Sequence, residues 1–192
     1  MASELIPYGR QDIRDSDIAA VVEVLQSDFL TQGPTVPNFE QVVREFCNAK
    51  HAVAVNSATS ALHIALMALG VGDGDTVWTS PNTFVASSNA ALYCGASIDF
   101  VDIDLDTYNL SISALKKKLE KSEVLGTLPK VVIPVHLTGQ PCDMQAIHEL
   151  AQHYRFKVVE DASHAIGGKY FNKPIGSCEY SDITVFSFHP VK

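Results

Sequence analysis

VVIPVHLTGQPCDMQAIHELAQHYRFKVVED, residues 131–161, decides the fold. Val131-Val132-Ile133-Pro134 reads as a short buried strand. Asp143 to Tyr154 reads as a helix, and Phe156-Lys157-Val158-Val159 as a second strand ending at Glu160-Asp161. Two apolar runs joined through a helix lie parallel in one sheet.

The same alternation extends outward in both directions. Upstream, Ala52-Val53-Ala54-Val55 reads as a buried strand, followed by the turn Asn56-Ser57 and a helix from about Ser60 to Leu69. Leu62, Ala65, Leu66 and Leu69 share one face of that helix, and Gly70-Val71-Gly72-Asp73-Gly74-Asp75 ends it. Thr76-Val77-Trp78-Thr79 is a strand, Phe84 to Tyr93 a helix, Ile98 to Val101 a strand and Ser111 to Lys121 a helix. Two helices precede these: Ile18, Val21, Val22 and Leu25 recur at helical spacing behind Asp15 and Ser16, which can cap them. Phe39, Val42, Val43 and Phe46 do the same after Pro37. Downstream, Gly168 to Gly176 looks like a β-hairpin with Asn172-Lys173-Pro174 in its middle, and Ile183 to Phe186 is the last strand. The expectation is an α/β protein, a three-layer α/β/α sandwich around a mostly parallel sheet.

Composition narrows the partners. With 192 residues and 46% hydrophobic content the chain can bury one sizeable core. The formal net charge is -8 and no Lys/Arg-rich patch stands out, which speaks against nucleic acid and acidic membrane surfaces. Lys116-Lys117-Lys118 reads as a solvated helix face. Cys47, Cys94, Cys142 and Cys178 form no C-x-x-C pair, so they read as buried free thiols in a reducing compartment, with no metal site. No basic, apolar leader is visible over Met1 to Arg10, and no run approaches the roughly 18 apolar residues of a membrane span. The expected location is cytoplasmic.

Ligands of such sheets sit beyond the carboxyl ends of the strands, and the residues there are chemically coherent. Ser57-Ala58-Thr59 opens a helix, where free N–H groups, small hydroxyls and the helix dipole suit an anion such as a single phosphate. The plainer alternative is a simple helix cap. Neither G-x-G-x-x-G nor G-x-x-x-x-G-K-[ST] is present, which argues against a dinucleotide or a P-loop triphosphate. Asp161 is either a turn cap or a counter-ion for a protonated ring nitrogen. Phe84 is either core or a stacking face, and His164 is either structural or a donor to a ring substituent. Lys192, at the end of Ser187-Phe188-His189-Pro190-Val191-Lys192, is either a surface amine or the amine of imine chemistry. Phosphate donors, a ring-nitrogen carboxylate, an aromatic face and a buried lysine are together the four parts of a pyridoxal phosphate (PLP) site.

Four segments carry a resemblance: Phe29-Leu30-Thr31-Gln32-Gly33-Pro34, Asn56-Ser57-Ala58-Thr59-Ser60-Ala61-Leu62, Glu160-Asp161-Ala162-Ser163-His164-Ala165 and Ser187 to Lys192. Over about Ile6 to Lys192 the chain resembles the DegT/DnrJ/EryC1 family of sugar aminotransferases, on the side of pseudaminic acid biosynthesis. The resemblance implies the large domain of fold-type I PLP-dependent transferases. It makes Lys192 the Schiff-base lysine, pairs Asp161 with the pyridine nitrogen and sets His164 near the ring hydroxyl. It stacks Phe84 on the ring and gives the phosphate to Ala58, Thr59 and Ser187. It also implies a nucleotide-sugar substrate, a UDP-linked 4-keto-6-deoxy-N-acetylhexosamine, with glutamate as amine donor, and a homodimer. Residues 1–192 are then expected to be the N-terminal part of the protein, including most of the PLP-binding large domain, with a small C-terminal domain outside the chain. Sugar dehydratases of the same fold carry histidine at the lysine position, so Lys192 argues against them. Two further readings stay open: another lyase of the fold, and a non-catalytic sugar-nucleotide-binding fragment.

Overall fold

The computed structural model describes residues 11–190 and 192. The leader reading of Met1 to Arg10, the start of the resemblance near Ile6 and the side chain of Val191 lie outside the described residues. Five strands form one parallel sheet in the order β2-β1-β3-β4-β7, where β1 is Thr76–Thr79, β2 Ser97–Phe100, β3 Val131–Ile133, β4 Lys157–Asp161 and β7 Ile183–Val185. Val131 pairs with Lys157 and Val132 with Val158, so the 131–161 segment is the strand–helix–strand unit read from sequence. β5 (Lys169–Tyr170) and β6 (Lys173–Pro174) form the separate hairpin.

Strand alternation explains the layers. Successive side chains leave a strand on opposite faces. Val77, Val131, Ile133, Val159 and Val185 pack against Leu62 and Leu66 of α3 (Ala58–Ala68) and Ala90 and Ala91 of α4 (Ala86–Tyr93). Their neighbours Trp78, Val132 and Val158 point the other way, onto Leu115 and Leu119 of α5 (Ile112–Leu125) and Ile147 of α6 (Met144–Tyr154). A sheet covered on both faces needs strands apolar on both, and β1 and β3 have them. The result is the expected three-layer α/β/α sandwich. Ser111 and Asp143 cap α5 and α6 with their side chains, and Gly126 ends α5 in the left-handed conformation.

Three local expectations need correction. Residues 52–55 are not a buried strand: the backbone there pairs with no strand among the described residues, and Val53 is 79% exposed. β-type composition becomes a strand only where a neighbour completes the ladder, and here the Ala54 N–H donates instead to Glu40 Oε1 at 2.8 Å. The faces of α1 (Asp15–Leu25) and α2 (Thr35–Cys47) have the predicted periodicity but are largely exposed, Ile18, Val21, Phe39 and Val42 included. At the start of α1 the cap comes from Asp17, whose carboxylate accepts the Arg14 N–H at 2.8 Å, and not from Asp15 or Ser16. The hairpin turns at Phe171-Asn172, both with positive φ, because a two-residue loop of that hand matches the twist of its strands. Lys173 and Pro174 are in the returning strand.

Leu66 is fully buried between α3 and the sheet. Leu66→Ala is expected to cost about 2–5 kcal/mol in urea unfolding. The exposed Val124→Ala should stay within about 0.5 kcal/mol of the parent. Equal effects would show that the α3 layer is not packed as described.

Candidate active site

All seven residues singled out from sequence line one cavity of about 1170 Å³: Ala58, Thr59, Phe84, Asp161, His164, Ser187 and Lys192. It opens beyond the carboxyl ends of β4 and β7. α3 contributes its N-terminus. The Ser57 side chain caps it by accepting the Ser60 N–H at 3.1 Å, so the plain cap reading of Ser57 holds. The N–H groups of Ala58 and Thr59, in the first turn, have no carbonyl partner within the helix and remain available to an anion.

Asp161 is the last residue of β4 and 4% exposed. Its backbone is held from both sides: its N–H donates to Pro134 O at 2.9 Å, its carbonyl accepts the His136 N–H at 3.0 Å, and the next N–H, of Ala162, donates to Val185 O at 2.9 Å. Its Oδ1 accepts from Ser163 Oγ at 2.6 Å and Ser163 N at 3.2 Å. Its Oδ2 accepts from Ser87 Oγ at 2.6 Å. Ser87 has one hydroxyl proton, spent on Asp161, so Thr83 Oγ1 is the donor in their 2.8 Å contact. Three of the roughly four acceptor sites of the carboxylate are filled, and the vacant one is on Oδ2.

Phe84 lies just before α4 and lines the cavity; the residue is 69% exposed, so it is not core. Ser187 follows β7, half-buried. Lys192, expected as a buried lysine, is exposed at the mouth of the cavity; its Nζ is 2.8 Å from His164 Nε2, and His164 Nδ1 accepts the Thr138 N–H at 3.3 Å. Burial holds the His164 pKa below the ordinary histidine range; Lys192 acts in the same direction, and Asp161 opposes both.

Behind Asp161, on the other face of β4, lies a polar cluster that the sequence reading left without a role. Glu160 Oε2 is 2.6 Å from His136 Nε2, and Glu160 Oε1 accepts from Thr184 Oγ1 at 2.9 Å and from Ser181 Oγ. His136 Nδ1 in turn accepts the Cys142 N–H at 3.3 Å. Burial alone would push the Glu160 carboxyl up, but the hydrogen bond from His136, with those from the two hydroxyls, holds it below the usual range. The cluster ties the loop after β3 and the entry to β7 to the end of β4. The signal for it was polar residues, Glu160 and His136, at the ends of otherwise apolar strands. Ser87 and Ser163 left no comparable trace, because a small hydroxyl in a helix or turn is ordinary. Among the described residues no His, Cys, Asp and Glu side chains cluster as a metal site, and no helix is long and apolar enough to cross a membrane.

Comparison with known proteins places the chain in a family. Residues 11–192 match the model of the DegT/DnrJ/EryC1/StrS aminotransferase family. The chain belongs to that family. A relative in Campylobacter jejuni, the UDP-4-amino-4,6-dideoxy-N-acetyl-beta-L-altrosamine transaminase, is 41% identical over 98% of this chain and 48% of its own length. Among family structures, Helicobacter pylori PseC, an aminotransferase involved in the biosynthesis of pseudoaminic acid, superposes with a TM-score of 0.88 at 32% identity, over 97% of this chain and 48% of that one. The PLP form of Spr1654 from Streptococcus pneumoniae also gives 0.88 at 32% identity, over 97% of this chain and 50% of that one. The fold is therefore that of the fold-type I PLP aminotransferases. The chain spans about half the length of the curated relatives it matches.

The Glu160 cluster sets a stability test. Glu160→Ala leaves the buried His136 and the half-buried Ser181 and Thr184 without their acceptor and is expected to cost about 3–5 kcal/mol in urea unfolding at pH 7. Because the folded pKa of Glu160 is lowered, its contribution is complete above the ordinary carboxylate range and is lost as the pH falls through the lower, folded value. A cost below about 1 kcal/mol would show that the carboxylate is not buried in solution.

Proposed function

We propose that the protein carrying this chain is a PLP-dependent aminotransferase that converts a nucleotide-linked keto sugar into an amino sugar. The observation that carries this reading is the 2.8 Å approach of Lys192 to His164 at a cavity also lined by Asp161 and the first turn of α3. The donor set fits PLP. The Ala58 and Thr59 N–H groups and the Ser187 hydroxyl would hold the phosphate, and the vacant site on Asp161 Oδ2 would accept one ring N–H. Phe84 offers a flat apolar face, and His164 would reach the ring hydroxyl.

When bound, PLP supplies the electron sink for a carbanion at the amine-bearing carbon. The chain's own residues do the rest. Lys192 is the amine that anchors the cofactor, and its Nζ moves the proton at that carbon as general base and acid. Asp161, fixed by Ser87 and Ser163, holds the ring nitrogen's proton in place. The substrate we assign is a UDP-linked 4-keto-6-deoxy-N-acetylhexosamine, with glutamate as donor; the named activity of the Campylobacter jejuni relative supports the sugar. We further assign residues 1–192 to the N-terminal part of the protein, with most of its PLP-binding large domain, and take the whole enzyme as a cytoplasmic homodimer without nucleic-acid or membrane partners.

Absorbance tests the reading. The full-length protein is expected to gain a visible band with PLP that glutamate bleaches, and Lys192→Ala should abolish the band and lower turnover by at least about 10²–10⁴-fold. A protein that stays colourless with PLP would overturn the assignment. Product analysis with UDP-linked 4-keto sugars and glutamate then decides the substrate.

A further inference from the structure

The turn after β3 has an uncommon backbone. Thr138 sits in the left-handed region, at φ 54° and ψ 19°, although its side chain is β-branched and disfavours it. A buried residue far away in sequence braces this turn. Asn109, 3% exposed, donates from Nδ2 to Gln140 O at 2.9 Å and accepts the Leu137 N–H on Oδ1 at 3.1 Å. Gly139, at φ 89°, lets the turn press on the next layer, for a Cβ there would come within 2.9 Å of the His164 carbonyl oxygen. Held in this way, the Thr138 N–H points at His164 Nδ1.

The consequence is a matter of donors and acceptors. A backbone N–H meets only an unprotonated ring nitrogen, so a neutral His164 carries its proton on Nε2. That nitrogen faces Lys192 Nζ at 2.8 Å. An ammonium group has three donors and no acceptor, so it opposes an Nε2–H, whereas a free-base amine accepts from it. The groups facing His164 are Lys192, the Asp161 carboxylate and the Thr138 N–H.

We propose that Asn109 is a positioning residue: through the turn at Thr138 it sets His164 as the Nε2–H tautomer, which selects the free-base amine of Lys192. Only that form attacks a carbonyl. The inference rests on the reading of Lys192 as the reacting amine, but its main test needs no cofactor. Burial, the largest influence on the His164 pKa, lowers it and so agrees with a ring kept neutral.

Nitrogen-15 NMR of the histidine rings in the full-length protein without PLP, near pH 8, reads the tautomer directly, with His164 assigned by its loss in His164→Gln. The expected result is a neutral ring protonated on Nε2. An Nδ1–H ring or an imidazolium overturns the proposal. Asn109→Leu should mix the two tautomers of His164, leave His136 unchanged and raise the pH at which PLP attaches half-maximally. Replacing Thr138 by its α-hydroxy analogue removes the N–H while keeping the side chain and should do the same, which covers an Asn109→Leu protein that does not fold. An unchanged His164 ring in either folded variant overturns the proposal. A protein that shows the Nε2–H tautomer but never colours with PLP would instead overturn the enzyme assignment.

Discussion

The backbone ladder at the end of β4 is the constraint on which the rest depends. Three hydrogen bonds, from Asp161 N to Pro134 O, His136 N to Asp161 O and Ala162 N to Val185 O, carry pairing one step past the apolar core on both sides. At that step the strand delivers two consecutive carboxylates to opposite faces. Asp161 enters the cavity, and Glu160 enters the cluster with His136, Ser181 and Thr184. Strand alternation alone separates them. The pairing on either side holds them rigid, because β4 cannot slide or rotate without breaking bonds to β3 and β7.

Two tiers of polar contacts are built on this ladder. The first touches the cavity: Ser87 and Ser163 on Asp161, and His164 on Lys192. The second stands behind it. Glu160 and His136 hold the loop after β3, and Asn109 holds the turn that follows. Buried polar groups are costly when unpaired, and among the described residues no buried side-chain N or O atom lacks a partner. Both tiers are therefore satisfied as units.

The legible part of this protein was its periodicity. The 131–161 segment announced a parallel pair, and Leu62, Ala65 and Leu66 announced the buried face of α3, because burial writes itself into residue spacing. The strand-end residues were legible as a set, since polar side chains after apolar runs have few structural reasons to recur together. Residues 52–55 misled because composition records that a segment can be a strand, while the ladder partner lies elsewhere in the fold. Ser87, Ser163 and Asn109 were silent for a related reason: a small polar side chain is ordinary in a helix, a turn or a loop, and its partner is set by contacts across many residues.

By itself the sequence determined the layer order, the parallel pairing and the choice of chemical groups at the strand ends, since each follows from local spacing of apolar and polar side chains. The tertiary structure alone decided which nitrogen of His164 faces Lys192, which hydroxyls hold Asp161 and where the Glu160 charge is balanced. Those depend on distances between atoms brought together from separate elements, such as Asn109 and the turn at Thr138, and no periodicity along the chain encodes them.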